Sequence, residues 1–172
     1  GGYAHASDNQ RGGGIYNEAA SPTLRHCTFR GNGANVGGGI ANDSASTPEV
    51  TDCTFSQNEA SIGGGIANYG GSSGSVTDSR FLDNVGSTGG GMFNDHSSPW
   101  VVNCIFADNT AVSGGGLYNN TSASPQVINC IFTGNSADSN GGGMMNYSAT
   151  YPIVTNCTFS GNSGLNGSAI YD

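Results

Sequence analysis

Apolar and polar positions alternate along this chain in short bursts, and nowhere with the three-to-four-residue spacing of a helix. In E-V-T-D-C-T-F-S, residues 49–56, Val50, Cys53 and Phe55 are the apolar members and Glu49, Thr51, Thr54 and Ser56 the polar ones. A period of two predicts strands with one buried face. The pattern skips at Asp52, a position suited to a tight corner. The burst then recurs. Phe29, Phe55, Phe81, Phe106, Phe132 and Phe159 follow at spacings of 26, 26, 25, 26 and 27 residues, and each opens F-x-x-N. Two residues earlier stand Cys27, Cys53, Ser79, Cys104, Cys130 and Cys157, and three further back Leu24, Val50, Val76, Val101, Val127 and Val154. Glycine triplets precede Ile15, Ile40, Ile66, Met92, Leu117 and Met144, and two residues on come Asn17, Asn42, Asn68, Asn94, Asn119 and Asn146, then Asp172. All five prolines share one register, with Gly74 standing in the remaining copy.

A unit of about 26 residues with several short alternating stretches and frequent turn residues predicts one coil of a solenoid. Stacked coils place each residue over its counterpart about 4.8 Å away, which makes parallel sheets running along the axis. The fold class expected is all-β: a single-stranded parallel β-helix of about six and a half coils, forming a single domain over residues 1–172. One Val or Leu, one Cys, one Phe and one Ile, Leu or Met per coil cannot offset the ordering of a whole coil, so neighbours are obligatory. Glycine in a strand is costly, so the triplets need a positional cause: φ > 0 at a bend, or backbone packed where a Cβ would clash. A phosphate-cradling loop would require a following helix and a basic residue, and the pattern offers neither. The Asn registers predict corners with left-handed backbone and ladders of side-chain amides, and so does the register His26, Asp52, Asp78, Asn103, Asn129, Asn156.

Composition narrows the partners. The chain has no Lys, four Arg and twelve acids, a net charge of −8. It cannot neutralise a run of phosphates, which excludes nucleic acid, and it is poorly suited to anionic membranes. No apolar run reaches membrane-spanning length. The chain opens without Met, and the repeat is cut mid-coil at both ends. The expectation is an excised or processed part of a longer solenoid, or a unit that stacks end to end as a filament subunit.

C-I-F-T-G-N-S-A-D-S-N-G-G-G-M-M-N and C-T-F-R-G-N-G-A-N-V-G-G-G-I-A-N resemble the F-x-x-N and G-G-x-[ILVY] repeats of chlamydial polymorphic outer-membrane proteins, and the parallel β-helix repeats of the pectin-lyase-like superfamily. The resemblance runs from Gly12 to Asp172. It implies a right-handed parallel β-helix, extracellular or at the cell surface, acting in adhesion more often than in catalysis.

Candidate chemistry is sparse. The five Cys share one register, so their Cβ vectors run parallel, too far apart for a disulfide, and they read as buried thiols. Asp52 stacks on Asp78 and Asp83 on Asp108, and like charges that close need relief from Arg80, solvent or a cation. Ca²⁺ at Asp52, Asp78, Asp83 or Asp108 is the one cofactor weighed, against a solvated acidic corner partly neutralised by Arg80. A polysaccharide lyase would need Arg80 as base, and no catalytic residue is assigned. The outward positions of coils 1 to 3 are mostly Thr, Ser and charged; those of coils 4 to 6 include Trp100, Val102, Ile105, Ile128, Ile131 and Ile153, an apolar contact face. A second file, Tyr16, Ala41, Ala67, Phe93, Tyr118, Met145 and Tyr171, is expected to face outward, with saccharide stacking on Phe93 or Tyr118 weighed against packing between coils. A Thr-rich ice-binding face is ruled out because Arg80, Ile105 and Ile131 interrupt the Thr28–Thr54 file. Sequons at Asn42, Asn119, Asn120, Asn146, Asn156 and Asn166 matter only in a eukaryotic secretory host. The functional expectation is a structural or adhesion display module meeting a protein, or itself, through coils 4 to 6. The alternatives are a carbohydrate-active or polysaccharide-binding β-helix and an end-to-end filament subunit.

Overall fold

A computed structural model describes residues 10–172. Among them there is no helix, and 24 short strands form four parallel sheets of seven, six, six and five strands. The first sheet follows the glycine triplets and holds Ile15–Glu18, Ile40–Asp43, Ile66–Asn68, Met92–Asp95, Leu117–Asn120, Met144–Tyr147 and Ile170–Tyr171. The second holds Thr23–Arg25, Glu49–Thr51, Ser75–Thr77, Trp100–Val102, Gln126–Ile128 and Ile153–Thr155; the third, Thr28–Arg30, Thr54–Ser56, Arg80–Leu82, Ile105–Ala107, Ile131–Thr133 and Thr158–Ser160. The fourth holds Gly33–Val36, Glu59–Ile62, Val85–Thr88, Thr110–Ala111 and Ser136–Ala137. The inward positions of the second and third sheets pair like with like, as Phe55 with Phe81 and Val101 with Val127.

The predicted interior files are all present. The six Phe rings stack with centroids 4.5–4.9 Å apart and planes within 3–7° of each other. They share one core with the Val, Cys and Ile, Leu or Met files. Inside the corner after each Phe, Asn58 donates through Nδ2 to the Phe29 carbonyl below and to Asn84 Oδ1 above, and its own Oδ1 accepts from the Asn32 main chain and side chain. The buried amide is thereby saturated. A second ladder joins Asn17 to Asn146 at 2.7–2.9 Å per step and ends on Asp172. One detail differs from expectation. The left-handed residue at this corner is the one before the Asn (Gly31, Gln57, Asp83, Asp108, Gly134, Gly161), which frees the Asn to point inward. At the corner between second and third sheets the expectation holds, with φ of 50–54° at His26, Asp52, Asp78, Asn103, Asn129 and Asn156.

Each glycine of a triplet meets a different demand. Gly63 turns the chain at φ 63°; a Cβ on Gly64 would lie 2.4 Å from the Gly90 carbonyl oxygen, and one on Gly65 would lie 2.4 Å from that of Gly91 and 2.8 Å from the Phe81 ring. Both causes weighed from the sequence therefore operate, at adjacent positions.

Candidate functional site

The middle residue of each strand in the second and third sheets points toward the core: Val101, Phe106, Val127 and Phe132 have no exposed surface. Their flanks therefore point out. Trp100 and Val102 emerge from one strand, Ile105 from the next, and Ile128 and Ile131 from the coil above. Val102 lies on Ile128 and Ile105 on Ile131. Trp100 is 50% exposed, Ile131 42% and Ile153 56%, and Val102, Ile105 and Ile128 are half-buried. One correction concerns continuity. Ile153 stacks on Gln126, which stacks on Trp100, so Ile153 is separated from the other five by a polar side chain. The rows on either side of the Asn103–Asn129 corner belong to different sheets, and at the corner Asn129 Nδ2 donates to Asn103 Oδ1 at 3.3 Å.

The contrast with the lower coils defines the face. Residues 23–30, 49–56 and 75–82 carry Arg25, Arg30, Glu49, Asp52, Asp78 and Arg80, whereas the equivalent residues 100–107, 126–133 and 153–160 carry no Asp, Glu, Lys or Arg. The corner file changes at the same level, from His26, Asp52 and Asp78 to Asn103, Asn129 and Asn156.

The four aspartates weighed for Ca²⁺ occupy two separate corners. Asp52 and Asp78 sit between the second and third sheets, Asp83 and Asp108 between the third and fourth. Among the described residues no three His, Cys, Asp or Glu side chains are grouped closely enough to hold a metal ion together. The expected neutralisation by Arg80 is also replaced by other contacts. Asp52 Oδ2 lies 2.8 Å from His26 Nδ1, and Asp78 Oδ1 accepts from Asn103 Nδ2 at 3.0 Å. The described ion pairs are Arg11–Asp43, His26–Asp52 and His96–Asp95. Arg80 instead occupies the outward file of the third sheet between Thr54 and Ile105.

The rings of Phe93 and Tyr118 make the packing between coils weighed against saccharide stacking, and the expected outward exposure of their file is corrected. Their file faces away from the main core, yet Phe93 is 5% and Tyr118 9% exposed, so neither ring offers an open face to a sugar. They stack on each other at 5.4 Å and pack with Met145, Ile62, Tyr69 and Tyr171 in a second core; Ala41 and Ala67 continue it with Val36. Val36 and Ile62 come from the fourth sheet, just before the glycine turn. At its edge Arg11 pairs with Asp43 and lies 5.6 Å from the centre of the Tyr69 ring. Burial, reinforced by Asp95, pushes the Tyr69 phenol up to about 12. A groove of about 460 Å³ on the fourth sheet is lined mainly by small residues such as Gly33, Ala34, Ala60 and Gly86.

All five thiols are free. Cys53, Cys104 and Cys130 are buried, and each donates to a carbonyl of its own coil at 3.3 Å, as Cys53 does to Thr51. Burial raises the Cys53 thiol above its ordinary pKa, which makes it a poor nucleophile. Of the sequons, Asn42, Asn119 and Asn146 are locked in the buried ladder, while Asn156 and Asn166 are exposed.

A family model described as right handed beta helix region matches residues 4–159. No curated protein and no solved structure matches the chain.

Proposed function

The chain belongs to the right-handed β-helix family, and on that premise we propose that it is a rigid display module, working outside the cell, that meets a partner protein through the uncharged outer face of coils 4 to 6. The observation carrying this reading is the switch, within one repeating face, from six charged side chains on coils 1 to 3 to none on coils 4 to 6. Interior repetition is explained by stacking, which needs like residues at like positions. Outward positions are free of that constraint, and a change there from Thr, Arg and Glu to Trp, Val and Ile needs another cause. Half-exposed aromatic and β-branched side chains without charge are the composition of an interface centre. The ladders and the continuous core supply the stiffness a display element needs, since each coil is tied to both neighbours by main-chain and amide bonds.

The test compares two triple variants as coatings on beads settled on cultured cells and on extracellular-matrix films. Val102→Ser, Ile105→Ser and Ile128→Ser together are expected to lower attachment at least about tenfold, the size of effect expected from losing a few interface side chains. Thr51→Ala, Thr54→Ala and Thr77→Ala together are expected to leave it unchanged. Equal attachment by both variants, with unchanged melting temperatures, would overturn the reading.

A further inference from the structure

Resting on that contact reading, we propose that the occupant of the face is a second copy of this chain, packed with opposed axes so that coil 4 of each copy lies against coil 5 of the other. The first argument is electrostatic. Two copies at −8 each repel over most of their surfaces. At physiological salt only charges within about 8 Å are felt strongly. The strands of coils 4 to 6 in the second and third sheets carry no charge, so on this face like-charged copies meet least resistance. A cationic partner would instead be drawn to the acidic side chains elsewhere.

The second argument fixes orientation. Parallel alignment, coil against the same coil, would bring the charged coils together, with Asp52 facing Asp52 and Asp78 facing Asp78 along the corner. Opposed alignment centred between coils 4 and 5 sets Val102 of one copy against Ile128 of the other. Coil 3 then faces coil 6, where Asp78 meets the neutral register of Asn156. Uncharged thus meets uncharged across the centre, and no acid is placed on an acid.

The third argument sets the strength. Three coils at about 4.8 Å by two three-residue strands at about 3.3 Å per residue give roughly 300 Å² per copy. Stable dimers need about 800 Å² from each partner. The contact is therefore reversible and filled when copies are crowded, as displayed modules are.

Sedimentation of the intact chain from micromolar to millimolar concentration tests this. The weight-average sedimentation coefficient is expected to climb with concentration, and to climb further at high ionic strength as repulsion is screened. Val102→Lys alone and Ile128→Asp alone each abolish the climb, and an equimolar mixture restores it, because the two substitutions face each other only in the opposed arrangement. The wild-type series needs no variant to fold and decides whether the dimer exists. A coefficient independent of concentration overturns the proposal, as does a climb that either single variant retains or that mixing fails to restore. If the wild type stays monomeric while the serine variant still loses attachment, the contact reading stands and the second-copy reading falls. If the wild type self-associates as described and the serine variant attaches normally, the second copy stands and the attachment role falls.

Discussion

Ser79 stands in the cysteine file and makes the same bond as its neighbours: its hydroxyl donates to the Thr77 carbonyl at 2.8 Å, as the Cys53 thiol donates to Thr51 at 3.3 Å. The file therefore asks for a small side chain that can donate to its own coil. Cys130→Ser is expected to cost only about 1 kcal/mol, read from urea unfolding. Asn84→Leu is a different case. It strips an acceptor from both the main chain and the side chain of Asn58 and a donor from the Phe55 carbonyl, all without access to water. Several buried groups left unpaired cost on the order of 3–5 kcal/mol. Tyr69 carries a pH signature. Its folded pKa of about 12 exceeds the ordinary tyrosine value, so its contribution is intact below about pH 10 and is lost as pH rises through the folded value. Urea titrations across this range should show stability falling, with a shallower fall in Tyr69→Phe.

At the scale of the element, the glycine triplet shows what periodicity reveals and what it hides. Six triplets in register announced a structural role, and the spacing of Phe, Cys, Val and Asn picked out the residue files that three of the four sheets carry. The fourth sheet was not legible. Its equivalents Gly33–Val36, Glu59–Ile62 and Val85–Thr88 share almost no residue types, so no file stands out in the sequence. Missing it hid the second core, because a period of two assigns Ala41, Phe93 and Tyr118 to solvent when Val36 and Ile62 from that sheet cover them. The Asp43–Tyr69–Arg11 contact was hidden too: Asp43 and Tyr69 follow the stacked Asn42 and Asn68 at equivalent positions, but the guanidinium reaches them from Arg11, which pairs with Val36 in another file. The outward apolar face, by contrast, was readable because strand parity alone decides it, apart from the interruption at Gln126. Gly65→Ala would push a Cβ into the Gly91 carbonyl and the Phe81 ring, and is expected to cost about 3 kcal/mol or more. Gly31→Asn places a side chain in open space, at a left-handed corner where Gln57 and Asp83 already stand, and is expected to stay within about 0.5 kcal/mol of wild type. Thermal unfolding of the pair checks both.

At the scale of the whole molecule, repetition and its failure divide the labour. What repeats, the Phe stack, the amide ladders and the glycine backbone, makes one continuous support in which no coil is independent. What fails to repeat lies outside and marks where coils 4 to 6 are unlike coils 1 to 3. Trp100 is the only tryptophan in the chain, sits on that face and is half exposed, so it reports engagement without a label. The account predicts that its emission shifts to the blue and its quenching by acrylamide drops severalfold as the chain is concentrated or attaches to the surfaces described above. Attachment and concentration that leave both the emission maximum and the quenching of Trp100 unchanged would contradict it.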